Sequence, residues 1–225
     1  MDKTRYTATA TGATSGLVQI IARGHGDIQA SGVRLRGDPV PATYESTIVI
    51  RDRSEKVRVG FAERFAKELS IDPAPPPNPA LVPVTQAQRK SVVDPLTAAL
   101  VNAPDLSRQF GPEVCLRTIP VFDGRLRYDL TLAYKRIENV KTEVGYQGEA
   151  VVCSISFLPV AGHDPDRFLF KYLAAQSDME VWLAPVAGAG MVVPYRISIH
   201  TPIGLGVMQA NRFVAEQVSV PAVVH

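Results

Sequence analysis

Leu126–Tyr134 reads LRYDLTLAY, with Leu126, Tyr128, Leu130, Leu132 and Tyr134 at alternate positions. Arg127, Asp129, Thr131 and Ala133 fall between them, and Lys135 continues the polar side. A period of two is the signature of a strand with one buried and one wetted face. The same alternation recurs in Val151–Phe157, where Val151, Cys153, Ile155 and Phe157 share a face, and in Val193–Ile199. In the latter, Val193, Tyr195, Ile197 and Ile199 oppose Pro194, Arg196 and Ser198. Less regular segments with strand character are Tyr6–Thr11, Leu17–Ala22, Asp27–Leu35, Ala42–Ile50, Lys56–Phe61, Arg64–Ile71, Leu116–Phe122, Met179–Pro185 and Gly206–Glu216. About ten short strands separated by Gly, Asp, Ser and Pro predict a mainly β chain. The expected architecture is one long antiparallel sheet, curled into a spiral, half-barrel or barrel, with two or three short helices covering it.

Two stretches interrupt the alternation. DPAPPPNPALVP (Asp72–Pro83) holds six prolines and lacks the N–H groups a ladder needs, which predicts an extended surface crossing. TQAQRKSVVDPLTAALVNAP, which follows it, predicts helix over Thr85–Val101 in two pieces. Thr85 is placed to cap the first, and Asp94 with Pro95 starts the second. Val92, Val93, Leu96 and Leu100 would supply an apolar stripe toward the sheet. A further short helix is expected over Asp164–Ala174, capped by Asp164, opened by Pro165 and apolar along Phe168, Leu169 and Tyr172. No internal repeat is visible, and residues 1–225 read as a single β-rich domain.

FDGRLRYDL crowds Asp123, Arg125, Arg127 and Asp129 into seven residues, a density that also suits a ligand-contacting cluster. The favoured reading is structural. Asp123-Gly124 is a hairpin turn dipeptide, and the strand that follows carries its charges on the solvated side.

Composition narrows the function classes. The net charge is +2, with acids and bases interleaved, so the basic stripe that nucleic acid demands is missing. No apolar run reaches the ~18 residues of a membrane-spanning helix. MDKTRYTATATG has no basic-then-apolar leader and enters strand-like sequence at once. Such a strand needs a partner, either far along the chain or upstream, and the favoured expectation is that the sequence begins downstream of a natural start.

Candidate chemistry is sparse. Cys115 and Cys153 are the two cysteines, and they admit two readings, buried thiols or a bridge. A bridge would close a loop of roughly 38 residues, worth on the order of 4 kcal/mol. It is the favoured reading in an oxidising compartment. CxxC, HxH and HExxH spacings are absent, so no metal is expected. Among the histidines, His25 reads as a glycine-flanked turn, with a ligand-facing loop as the alternative; His200 lies on the polar side of its strand and His225 is terminal. His163 stands beside Asp164, Asp166 and Arg167, where a carboxylate-oriented general base is conceivable. A capped helix start explains the same residues. The sequence has no GxSxG, P-loop or GxGxxG motif, so no cofactor is expected. Gly188–Val193, GAGMVV, reads as a hairpin loop because no helix follows to cradle a phosphate. Trp182 reads as core or as the lining of a pocket.

RTIPVFDGRLRYDL, GEAVVCSISFLPVAGH, PDRFLFKYL and DMEVWLAPVAG…VPYRISIHTPIG resemble the domain-of-unknown-function 3108 family of alphaproteobacterial cell-envelope proteins. The resemblance spans nearly the whole chain and is strongest from Val114 to Phe213. Family members usually start with a secretory signal and a further strand or hairpin. This sequence departs from them there and, as written, would stay in the cytoplasm. The family has no established activity to transfer. It implies a periplasmic setting, which favours the Cys115–Cys153 disulfide, and a curled sheet closed over by the Thr85–Val101 segment.

Many apolar strand faces with limited helical cover leave room for a hydrophobic ligand. The leading expectation is therefore a non-enzymatic envelope protein binding an apolar or lipid-like ligand, or a segment of an envelope partner. Tyr128, Leu130, Leu132, Tyr134, Phe157, Trp182 and Tyr195 are the candidates for its inner face. The alternatives are a hydrolase- or transferase-like enzyme using His163, Asp164, Asp166 and Arg167, and a structural module that pairs an exposed sheet edge with a partner.

Overall fold

The computed structural model describes residues 4–13, 24–103, 110–201 and 204–213. Strands β1 (Thr4–Ala13), β2 (Gly24–Leu35), β3 (Asp38–Ile50), β4 (Arg53–Ala62) and β5 (Phe65–Asp72) form an antiparallel meander in chain order. The partner of β1 is β2, the next strand, paired from Thr4↔Arg34 to Ala13↔His25. Leu17–Ala22 lies outside the described residues.

The chain then leaves the sheet along the proline-rich crossing, which is exposed from Pro73 to Leu81 as expected. It regains partners at Val82, whose N–H donates to the His163 carbonyl at 2.9 Å and whose carbonyl accepts from Gly162 N–H at 2.7 Å. Thr85–Val101 is mostly not helical, contrary to expectation. It contains a 3-10 turn at Ala87–Arg89 and one short helix, α1 (Pro95–Ala98). Two causes act together. Ser91 adopts a positive φ of 55°, and Asp94, which precedes a proline, is held extended. The β-branched pair Val92-Val93 becomes a strap instead of a helix face. Val92 N–H donates to the Arg64 carbonyl of the first sheet, and Val93 bridges in parallel to Val121 of the second. Asp94 does cap α1, accepting from Leu96 N–H at 3.0 Å and Thr97 N–H at 2.8 Å.

The second sheet gathers β6 (Val101–Asn102), β7 (Arg117–Phe122), β8 (Arg127–Lys141), β9 (Gln147–Ala161), β10 (Met179–Val186), β11 (Met191–Thr201) and β12 (Gly204–Gln209). Its order is β12-β11-β10-β9-β8-β7, with the short β6 also pairing to β11. Helix α2 (Phe168–Ala175) hangs between β9 and β10. Its N-cap is Arg167. Asp164 serves an earlier turn, accepting from Asp166 N–H at 2.9 Å. The chain is mainly β, curled into a half-barrel with two helices. Its ladder comes in two lengths, joined by the Val92-Val93 strap.

The first sheet has one buried face. Ala30, Tyr44, Val57, Val59 and Ala66 pack there against Val92 and Phe122, which come from outside the sheet. The second sheet is buried on both faces. Val181 and Leu183 of β10 join one cluster with Leu132, Val151 and Cys153, while Trp182 and Ala184 join another with Ala150, Val152 and Tyr195. The Cys115–Cys153 disulfide lies in the first of these, its Cα atoms 5.6 Å apart. It pins the segment before β7 to the centre of β9.

Candidate functional site

The charges of FDGRLRYDL are spent on structure. Asp123 Oδ1 accepts from Arg125 N–H and Leu126 N–H, each at 2.7 Å. That forms a four-residue turn before β8 begins at Arg127. Burial pushes the Asp123 carboxyl up, against the pull of these hydrogen bonds and of Arg125. The Arg125 guanidinium is ion-paired with Glu55 of the first sheet, and Arg127 with Asp129 at 2.7 Å. A second buried group is linear. Thr97 Oγ1 donates to Asp94 Oδ2 at 2.5 Å, so Tyr6 O–H is the donor to Thr97 Oγ1 at 2.8 Å. Burial raises Tyr6 and Tyr44 to about 12 and lifts Asp94 and Tyr128 as well. Protonated phenols and enclosed carboxyls of this kind hold β1 and α1 in place.

Of the seven inner-face candidates, five share a side. Tyr128, Leu130, Leu132 and Tyr134 pair with Pro159, Phe157, Ile155 and Cys153 of β9, and directly opposite residues point the same way. Tyr128 and Phe157 stack at 5.3 Å, and Leu132 is core. Trp182 and Tyr195 lie on the other side. Register alone puts Trp182 there, because it pairs with Val152, between Val151 and Cys153 of the other face. A bulge puts Tyr195 there. Two bulges interrupt the alternation. Lys135 has no partner in the β8–β9 register, and Tyr195 has none in β10–β11. Each extra residue reverses the side on which its strand continues. Tyr195 therefore does not share a face with Ile197.

Trp182 is core, 5% exposed, within a charged frame. Its indole N–H donates to Glu138 at 2.6 Å, and the Arg136 and Arg196 guanidiniums lie 5.7 and 4.7 Å from the ring centre. Arg136 bonds Glu180 through both terminal nitrogens, at 2.8 and 3.0 Å, and Lys135 adds a third contact at 2.5 Å. These contacts hold Glu180 down at about 2. The Trp182 hydrogen bond, then Arg136, lowers Glu138.

His163 is buried, its ring 5.3 Å from Phe170, and its Nδ1 has no hydrogen-bond partner. Among the described residues no carboxylate is ion-paired with it. Asp166 is bound to Lys171 at 3.0 Å. The general-base arrangement is therefore not assembled here. The described residues contain no cluster of His, Cys, Asp and Glu fit for a metal. None of their helices is long and apolar enough to cross a membrane.

An open cleft of 1010 Å³ lies elsewhere, at the β3–β4 end of the first sheet. Tyr44 and Ser46 are buried on the inner face of β3, but Ile48 and Ile50, next in the same alternation, are 42% and 52% exposed. Their cross-strand partners on β4 are Glu55 and Arg53. The core cover of Val92 and Phe122 thus runs out before the sheet does. Pro73, Ala74, Pro75 and Pro76 of the crossing line the opposite wall, and Arg51, Asp52, Ser54 and Arg125 complete the rim. Sequence reasoning missed Ile48, Ile50 and Arg53 as site residues. The TYESTIVI alternation carried the signal, continuing one turn of the pleat beyond its last buried position.

Residues 1–211 match the family described as "Protein of unknown function (DUF3108)". The chain belongs to that family. No curated protein and no solved structure matches it.

Proposed function

We propose that this DUF3108 chain is a non-enzymatic envelope protein that holds an apolar, lipid-like ligand in the open end of its first curled sheet. One observation carries the reading. Two large isoleucines stand exposed on a sheet face that is otherwise core, opposite a wall of prolines and alanine. Exposed apolar surface gathered in a concavity is what a ligand's hydrocarbon would cover. The periplasmic setting draws support from the Cys115–Cys153 bridge, since disulfides persist in oxidising compartments.

Native mass spectrometry of protein purified without detergent tests the reading. The expected spectrum shows an adduct of lipid-like mass that organic extraction removes. A mass equal to the bare chain, with no gain on adding a neutral apolar dye, counts against a small apolar ligand. It would leave a segment of an envelope protein as the occupant to examine.

A further inference from the structure

We infer that β12 is a docking edge for a second copy of this chain, the two β12 strands pairing antiparallel about a two-fold axis. β12 ends the second sheet, and among the described residues no strand pairs with its outer side. The groups that stand free there follow from register. Ala210 N–H donates to the Tyr195 carbonyl at 2.9 Å, and β12 holds the same register back to Gly204, opposite Thr201. Hydrogen bonding toward one neighbour alternates along an antiparallel strand. Gly204, Gly206 and Met208 therefore bond inward to β11, while Leu205, Val207 and Gln209 aim their N–H and C=O groups outward.

Edges of this kind are normally guarded by charge or proline. β5 has Lys67, Glu68 and Asp72, and β7 has Arg117 and Pro120. β1 carries Arg5, and its exposed length beyond Tyr6 offers only threonine, alanine and glycine. β12, GLGVMQ, has neither charge nor proline. It exposes Leu205 at 52%, Val207 at 48% and Met208 at 70%. Without a charge the strand selects no oppositely charged partner, and pairing with itself sets no like charges together. An axis through Val207 places that residue against its own copy, Leu205 against Gln209 and Met208 against Gly206. Leu205, Val207 and Gln209 then exchange backbone hydrogen bonds across the seam, as in strand addition to a sheet edge. Leu205 and Val207 lie on the face of His200 and Ser198 and continue there into the same pair of the second copy. On the opposite face the Met208 side chain lies over Gly206, where the nearest atom to an added Cβ is 3.4 Å away. Using the same surface on both copies closes the assembly at two. A seam six residues long is small beside the ~1,200–2,000 Å² of a stable interface, so the dimer forms reversibly and at high concentration.

The test combines sedimentation velocity of the whole chain, from micromolar to millimolar concentration, with amide hydrogen exchange. The expected result is a monomer that becomes a dimer as concentration rises. In the dimer the amides of Leu205, Val207 and Gln209 should exchange slowly, and dilution should speed them. Met208 N–H, bonded to β11, should stay protected throughout. Val207→Lys sets two ammoniums against each other on the axis and should move dimerisation to an about ten-fold or higher concentration. Thr9→Lys, on the β1 edge, should dimerise as the parent does. If Val207→Lys loosens β12 itself, seen as lost Met208 protection, the concentration dependence of the outward amides in the unaltered chain decides. A chain that stays monomeric to millimolar concentration overturns the assignment, whether or not its outward amides are protected. So does a dimer that Val207→Lys leaves intact, or one that Thr9→Lys abolishes.

Discussion

Gly124, at the tip of the β7–β8 hairpin, is seated so tightly on Val57 of β4 that one methyl group on its Cα would overlap the valine Cγ1. Leu69 and Val59 complete the socket, 3.2 and 3.4 Å from the same point. The second sheet thereby plugs the concave face of the first with a turn, and the turn fits because it ends in hydrogen. Gly124 also has φ +98°, which side chains avoid. Gly124→Ala is expected to cost about 2 kcal/mol or more through overlap and backbone strain together. A urea denaturation midpoint equal to that of the unaltered chain would show that the two sheets are not coupled here.

Cys115 and Cys153 are both fully buried in the core cluster between the second sheet and the β6–β7 segment. The bridge spans a separation of 38 residues, so its loss should lower stability by about 4 kcal/mol in the chain-entropy account. The Cys115→Ala, Cys153→Ala pair should unfold at a lower denaturant concentration than the oxidised chain and be indifferent to dithiothreitol. If reductant moves the double variant and the parent equally, the bridge is not the source of the difference.

Much of this fold could be read from period two, because a strand with one wet face writes its register into the sequence. Cys153 and Val151 on a common face, the Asp94-Pro95 helix start and the proline crossing all follow from local chemistry. What escaped the reading were events that local chemistry does not mark. The bulges at Lys135 and Tyr195 add one residue each and carry no distinctive residue type. Tyr195 thus ended on the side opposite Ile197, whereas Trp182 lies opposite Leu132 because it pairs with Val152, one residue out of phase with Cys153. Val151 and Val152 are both buried, since the second sheet is covered on two faces and alternation there loses its meaning. Ile48 and Ile50 look like core in the sequence. Only the position of Phe122 and Val92, brought in from distant segments, shows that their cover stops short.

Glu180 receives Arg136 and Lys135 with its side chain only 14% exposed. Its folded value of about 2 lies below the ordinary 4.5, so ionisation favours the folded state. The contribution is full above about pH 4.5 and is lost as pH falls toward 2. Glu180→Gln should therefore be less stable near pH 7, by about 2 kcal/mol, and the gap should close as the medium is acidified through that window. Trp182 is the sole tryptophan and sits inside the same charged frame, so its emission follows the transition without a label. A gap that is constant from neutral pH to pH 2 would assign the effect to packing instead of charge.

Ile50→Glu separates the cleft from the fold. Ile50 is 52% exposed, so replacing it removes little core. The new carboxylate would stand opposite Arg53, where a cross-strand ion pair is neutral to mildly favourable. Thermal stability should therefore hold or rise slightly. Binding of N-phenyl-1-naphthylamine should fall by about ten-fold or more. A branched side chain that a ligand would cover contributes roughly 1.5–3 kcal/mol when fully buried, and the carboxylate that replaces it must be desolvated. Ile50→Leu, which conserves volume and polarity, should bind the dye as the parent does. Dye binding unchanged in Ile50→Glu, with the fold intact, would move the apolar site away from the β3–β4 end of the first sheet.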